Sequence, residues 1–204
     1  MRRLAKRLAK LLLGDYAVYY IYSCTPGQGE RFASIASGMR FAPVDKGQVQ
    51  TSKDPLIADH AGYHGSEAHG YACFRGAEIV GLCYFWHGAR YRERNFWPLS
   101  DDEAKLVQIA VTPKVRGRAV ATNLIACASE DMFQKGFQCL YARIWHSNTP
   151  SRRAFQRAGW IRVATVMQVQ PVPLLPPLRV VIRALRRIPQ VEPTAVPAAL
   201  RDVT

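Results

Sequence analysis

Residues 104–123 read AKLVQIAVTPKVRGRAVATN, and the fold is organised around this stretch. Leu106, Val107, Ile109, Ala110 and Val111 form a nearly continuous apolar run, the pattern of a strand buried on both faces. Pro113 ends the strand, because proline has no N–H to give a ladder. A short basic loop, Lys114 to Arg118, then leads into a helix predicted over 117–135, with Leu124, Ile125 and Ala128 on one side and Lys135-Gly136 as its end signal. A strand that passes through a small-residue turn into a helix leaves several backbone N–H groups without partners, all aimed at one spot. The helix dipole adds partial positive charge there, and Arg116 and Arg118 add whole charges. Such a place is an anion site of the phosphate or pyrophosphate kind.

Downstream, Leu140 to Trp145 reads as a second apolar strand. Asn148 and Ser151 stand where that strand gives way to a short helix, as capping residues should. Gly159 ends the helix and Trp160 opens the next strand.

These two segments together resemble the GNAT superfamily of acyl-CoA-dependent N-acyltransferases. The family pattern is Arg/Gln-x-x-Gly-x-Gly/Ala after a strand ending in Val-x-Pro. Here Arg116-Gly117-Arg118-Ala119-Val120-Ala121 follows Val111-Thr112-Pro113, with Ala119 in place of the first glycine, read as part of a helical first turn. Asn148, Ser151, Phe155 and Gly159-Trp160 match the second motif. The resemblance covers residues 16–170 and is sharpest over 103–160. It implies an α/β GNAT fold, a mixed, mostly antiparallel sheet with splayed central strands flanked by helices. It implies direct transfer from acetyl-CoA, as acyl-donor substrate, to a small amine or amino-sugar acceptor. The coenzyme-binding residues it implies are Ile109, Ala110, Val111, Arg116, Gly117, Arg118, Ala119, Val120, Ala121, Thr122, Asn148, Ser151 and Phe155.

The catalytic groups are less direct. The position that matches the family's glutamate is Lys105, so Glu103, two residues earlier on the strand, is the candidate base, with Asp102 second. The alternative is that Glu103 caps the turn or pairs with an arginine. The family's tyrosine is Phe155 here, which leaves Tyr84 or Tyr91 as the acid, or an unassisted thiolate. Ala119 and Phe155 keep a second class open, a GNAT-fold module that holds coenzyme A without turnover.

The chain has 204 residues, 49% of them hydrophobic, enough for one domain with a substantial core. Its net charge of +13 attracts anions: coenzyme phosphates, an acidic substrate, nucleic acid or an anionic lipid surface. No nucleic-acid recognition motif accompanies the charge. Cys24, Cys73, Cys83, Cys127 and Cys139 have no CxxC spacing and read as small buried thiols in a reducing cytoplasm, and the histidines lack a ligand spacing, so no metal is expected.

Residues 1–13 (MRRLAKRLAKLLL) form a basic amphipathic helix that fits the domain surface, a second subunit in a homodimer, or an anionic membrane face. Its apolar run is too short for a signal-peptide core, and no segment of the chain spans a bilayer. The expected organisation is a helix over 1–14, the transferase domain over 15–170, and a Pro-rich spacer with a basic tail over 171–204. In that tail 178–188 is a second amphipathic segment, with Leu178, Val181, Ile182 and Leu185 on one side. The two basic ends suggest a peripheral place at the inner membrane surface.

Between these lie a first strand (16–23), a short helix (30–39), a loop with one helical turn (41–66) and a hairpin (68–74 and 79–86) turning at Gly76. In the loop, His60, Tyr63 and His64 read as solvent-facing. Arg90, Arg92 and Arg94 read as a basic rim over the acceptor site or a solvated segment.

Overall fold

The computed structural model describes residues 15–28, 38–170 and 178–183. The basic N-terminal helix, most of the 30–39 helix and residues 184–188 lie outside them.

One sheet of eight strands organises the molecule. In chain order they are β1 (Asp15–Cys24), β2 (Met39–Pro43), β3 (Ala68–Arg75), β4 (Glu78–Trp86), β5 (Glu103–Val111), β6 (Cys139–Trp145), β7 (Ile161–Gln170) and β8 (Leu178–Arg183). Their spatial order is β2-β3-β4-β5-β6-β1-β7-β8. Among the described residues only β5 and β6 pair in parallel, through four residue pairs, from Glu103 with Cys139 to Leu106 with Ala142. All other pairings are antiparallel. Past Leu106 and Ala142 the two strands part, so the sheet is splayed at its centre as the resemblance implied.

The helices are α1 (Lys46–Gln50), α2 (Pro55–Ala58), α3 (Gly88–Tyr91), α4 (Val120–Gln134) and α5 (Thr149–Arg157). Helix α4 is the crossover that parallel pairing of β5 and β6 requires. It buries Leu124, Ile125, Ala128 and Met132 against Phe85, Leu106, Leu140 and Ile144. Both long helices close with the same device. Gly136 and Gly159 take positive φ, and the next residue donates back five positions, Phe137 N–H to the Met132 carbonyl and Trp160 N–H to the Phe155 carbonyl. The other face of the sheet carries Tyr19, Ile21, Trp86, Tyr91, Phe96 and Tyr141, and a smaller group in which Val49 and Ile57 of the short helices cover Leu82 and Tyr84.

Several expectations need correction. Residues 41–66 are not one loop. They hold the end of β2, α1, α2 and a 3-10 turn at Ala61–Tyr63. Asp45 caps α1 in a capping box with Gln48, and Asp54 caps α2 ahead of Pro55. Met39, placed in a helix by its sequence, opens β2. Helix α4 starts at Val120, not 117, because Gly117 (φ 78°) and Ala119 (φ 56°) are both left-handed. Residues 178–183 form an edge strand on β7, which sets the neighbours Val181 and Ile182 on opposite faces. Their apolar side chains therefore do not share one side.

Candidate active site

A cleft of about 780 Å³ opens where β5 and β6 diverge. One wall is the end of β5, Gln108 to Val111. The floor is the loop and first turn of α4, and the far wall is the start of α5. Ile109, Ala110, Val111, Arg116, Gly117, Ala119, Val120, Ala121, Thr122, Ser151 and Phe155 all line it, so the two sequence motifs meet in space. Arg118 is exposed and lines neither this cleft nor its neighbour. Asn148 lines the neighbouring cleft, and its Oδ1 accepts the Ser151 N–H at 3.2 Å to cap α5.

The loop is held by hydrogen bonds at both ends of its turn. Arg116 Nε donates to the Val111 carbonyl at 3.2 Å, and Thr112 N–H donates to the Val80 carbonyl at 2.9 Å. The first helical hydrogen bond of α4 runs from Asn123 N–H to Ala119, so the N–H groups of Val120, Ala121 and Thr122 have no helical acceptor. Ala119 cannot cap them with its side chain. Arg116, Arg153 and Arg157 line the cleft and no carboxylate of the described residues does, so these residues give it a positive potential. Ala119 is not in the first helical turn, as its sequence suggested. It is the N-cap, in the left-handed region where a glycine costs nothing and an alanine is strained.

A second, smaller cleft of about 280 Å³ lies against the first along the diverging strands. Gln108, Ile109, Ser151 and Phe155 line both. Its remaining walls include Phe96, Val107, Arg143 and Trp145.

The predicted catalytic residues are not brought to either cleft. Glu103 sits where β5 and β6 are still paired, and its two oxygens accept from Ser100 N–H (2.8 Å) and Tyr141 O–H (3.1 Å). It closes the turn before β5, which is the alternative reading of that residue. Asp102 is exposed in the same turn. Tyr84 is fully buried, stacks on Tyr63 at 5.7 Å, and burial pushes its hydroxyl up to about 12. Tyr91 accepts from the N–H groups of Phe96 and Trp97 and from Lys105. Lys105 itself is fully buried, its ammonium against the Tyr91 and Phe96 rings and the Trp97 carbonyl. Arg90 is not a rim. It donates to the carbonyls of Gly62 and His64 and pins that loop. The cysteines are free thiols, and burial raises Cys24 to about 12 and Cys73 to about 11, so none is a ready nucleophile.

The residue that sequence reasoning set aside is His60. It lines the main cleft beside Gln108. Its Nδ1 meets the Leu56 carbonyl at 2.6 Å, and a carbonyl only accepts, so Nδ1 carries the proton. Nε2 is then the bare nitrogen of the neutral ring, and it accepts the Gln108 side-chain N–H. The signal in the sequence was Asp54-Pro55, which starts the helix whose last carbonyls hold the ring.

The acetyltransferase (GNAT) family model matches residues 37–160. No curated protein matches the chain by sequence. Among solved structures, an acetyltransferase from the GNAT family of Colwellia psychrerythraea superposes with a TM-score of 0.56 at 11% identity, over 83% of this chain and 62% of that one. GCN5-related N-acetyltransferases from Sphaerobacter thermophilus (TM-score 0.54, 16% identity, 88% and 56% covered) and Kribbella flavida (0.53, 12%, 84% and 65%) are similar in the same way. The chain spans less than two thirds of the length of these structures.

Proposed function

Because the chain belongs to the GNAT acetyltransferase family, we propose that it is an acyl-CoA-dependent N-acyltransferase that passes an acetyl group directly to a small amine. The observation that carries this reading is the parting of β5 from β6 after Leu106 and Ala142, which opens a cleft with an anion-binding loop at one end. Backbone N–H groups of Val120 to Thr122, with Arg116, would take the pyrophosphate. The unpaired edge of β5 near Ile109 to Val111 would receive the amide-bearing arm, and an N–H there would stabilise the thioester oxyanion.

In the transfer itself the amine nitrogen bonds to the thioester carbon, the C–S bond breaks, and the amine loses one proton. His60 Nε2 is the group in the cleft that takes this proton, and its Nδ1 bond to Leu56 holds the required tautomer. Gln108 supports the charged ring by turning its amide oxygen toward Nε2, where its N–H points in the neutral state. The thiolate leaves at the Phe155 end of the cleft, where no tyrosine among the described residues lines the wall to protonate it.

Free thiol released from acetyl-CoA by the full chain, with and without each of a panel of small amines, tests the proposal. Acceptor-dependent release is expected. Coenzyme binding with no release for any amine sinks the transfer reading and leaves a coenzyme-holding module.

A further inference from the structure

We propose that the acceptor carries a carboxylate and that Arg143 receives it, so that the substrate is a small amino acid-like amine and not a polycationic amino sugar. The inference rests on the transferase reading above and concerns the second cleft.

Arg143 lies on β6 one residue past Ala142, the last residue of that strand to pair with β5. Its guanidinium rests among three aromatic rings, Phe96 at 4.7 Å, Tyr19 at 5.4 Å and Trp145 at 5.5 Å. Stacking against ring faces fixes the plane of the guanidinium and leaves its N–H edge available. Among the described residues no side chain forms a salt bridge with it and no acceptor takes a hydrogen bond from it. Among the described residues Arg143 is the single charged side chain lining this cleft, and no carboxylate of theirs lines either cleft. Arg143 is an exposed side chain held beside these rings, with its N–H donors open to solvent and to a ligand in the cleft.

The ligand chemistry follows from charge and size. A planar fork of N–H donors matches a carboxylate in a bidentate pair. A polyamine or aminoglycoside would bring several ammonium groups to a cation in a cleft that no carboxylate of the described residues lines. At about 280 Å³ the cleft holds a small molecule. Gln108 lines this cleft too and contacts His60, so an acceptor with its carboxylate on Arg143 can direct its amine toward the proposed base. Phe96, Val107 and Trp145 supply apolar walls for what lies between the two ends.

The test pairs each amino acid with the amine that lacks its carboxylate, phenylalanine with phenethylamine and leucine with isoamylamine, and follows thiol release by the full-length chain. Binding of the matching N-acetyl products to the coenzyme A-loaded protein is measured by calorimetry. The expected result is a preference for the carboxylate-bearing member of roughly tenfold or more, the lower end for a hydrogen bond to a charged group. Arg143→Gln should abolish that preference, and Arg143→Lys should restore part of it. Arg162→Gln, on β7 and outside both clefts, should leave it intact. Equal use or equal binding of the two members, or a preference that survives Arg143→Gln, overturns the inference even if transfer occurs. Carboxylate-dependent binding with no thiol release from any amine upholds the subsite and defeats the transfer reading instead.

Discussion

His60 and Gln108 join ring nitrogen to side-chain amide across the cleft mouth, 48 residues apart in the chain. One comes from the turn after α2 and the other from β5, opposite Tyr84. Replacing His60 with alanine is expected to lower kcat about 100-fold, the low end for a general base. The coenzyme dissociation constant should change little, because the N–H groups proposed to hold the pyrophosphate belong to Val120 to Thr122 and not to the turn that carries His60. Stopped-flow thiol release and calorimetry separate the two effects. An unchanged kcat would make the pair a structural clasp.

Ala119 holds a left-handed conformation at the mouth of α4. A left-handed residue with a Cβ costs about 1–2 kcal/mol, part of which glycine gives back as chain entropy. Ala119→Gly is therefore expected to raise stability by about 0.5–1 kcal/mol and to tighten coenzyme binding. Thermal melts with and without coenzyme A check both. A loss of stability would mean that the helix N-terminus gains more from the methyl than it loses to strain.

Lys105 lies fully buried beneath Tyr91, Phe96 and Trp97. Lys105→Ala should cost about 3 kcal/mol or more, because it opens a cavity and leaves the Trp97 carbonyl short of a donor. Lys105→Met keeps the stem volume and should cost less. Urea denaturation gives both values. If the alanine variant loses less than ~1 kcal/mol, the desolvation of the ammonium already offsets its contacts.

His69 supplies a pH dependence remote from the clefts. Its ring stacks on His87 at 5.3 Å and meets Phe137 edge-on. Burial, then His87 and Lys135, lower its affinity for protons below the ordinary value of 6.5, while Asp131 opposes them. The unfolded chain then binds the proton more readily than the native one. This contribution to stability is complete above 6.5 and is lost as the pH falls through the lowered native value. Melting temperature should fall between pH 7.5 and 5.5, and less steeply in His69→Gln. Burial lowers His64 in the same direction, so part of the slope should survive. A flat profile in the wild type would refute the assignment.

The motif-bearing half of the chain was legible because its boundaries are set by local chemistry. Pro113 stops β5, Asn148 caps α5, and Gly136 and Gly159 close the two long helices. Short elements were harder. α1 and α2 are single turns with no apolar period, yet Asp45 with Gln48 and Asp54 with Pro55 were present as start signals. Glu103 lines neither cleft because it sits in the stretch of β5 that still pairs with β6. The pairing of β4 with β5 shifts between Tyr84 and Phe85, which face Gln108 and Leu106 and leave Val107 as an extra residue. That bulge lies beyond Lys105, so it resets which side chains of Gln108 to Val111 face the cleft and does not touch the count from Lys105 to Glu103. His60 was passed over because its partner is distant in sequence. Strand β8 was misread because its residues alternate about an edge that only the folded sheet provides.

The short parallel contact between β5 and β6 also makes a seam. Four residue pairs unite β2-β3-β4-β5 with β6-β1-β7-β8, helped by α4 and α5 above them. A ligand lying along the open edge of β5 would span the two halves as a surrogate ninth strand. Its binding free energy would then be spent on holding the halves together, and backbone amides near Ile109 to Val111 would exchange with solvent more slowly in its presence. At a hundred times its dissociation constant, such a ligand adds about 2.7 kcal/mol to the stability of the whole chain by mass action.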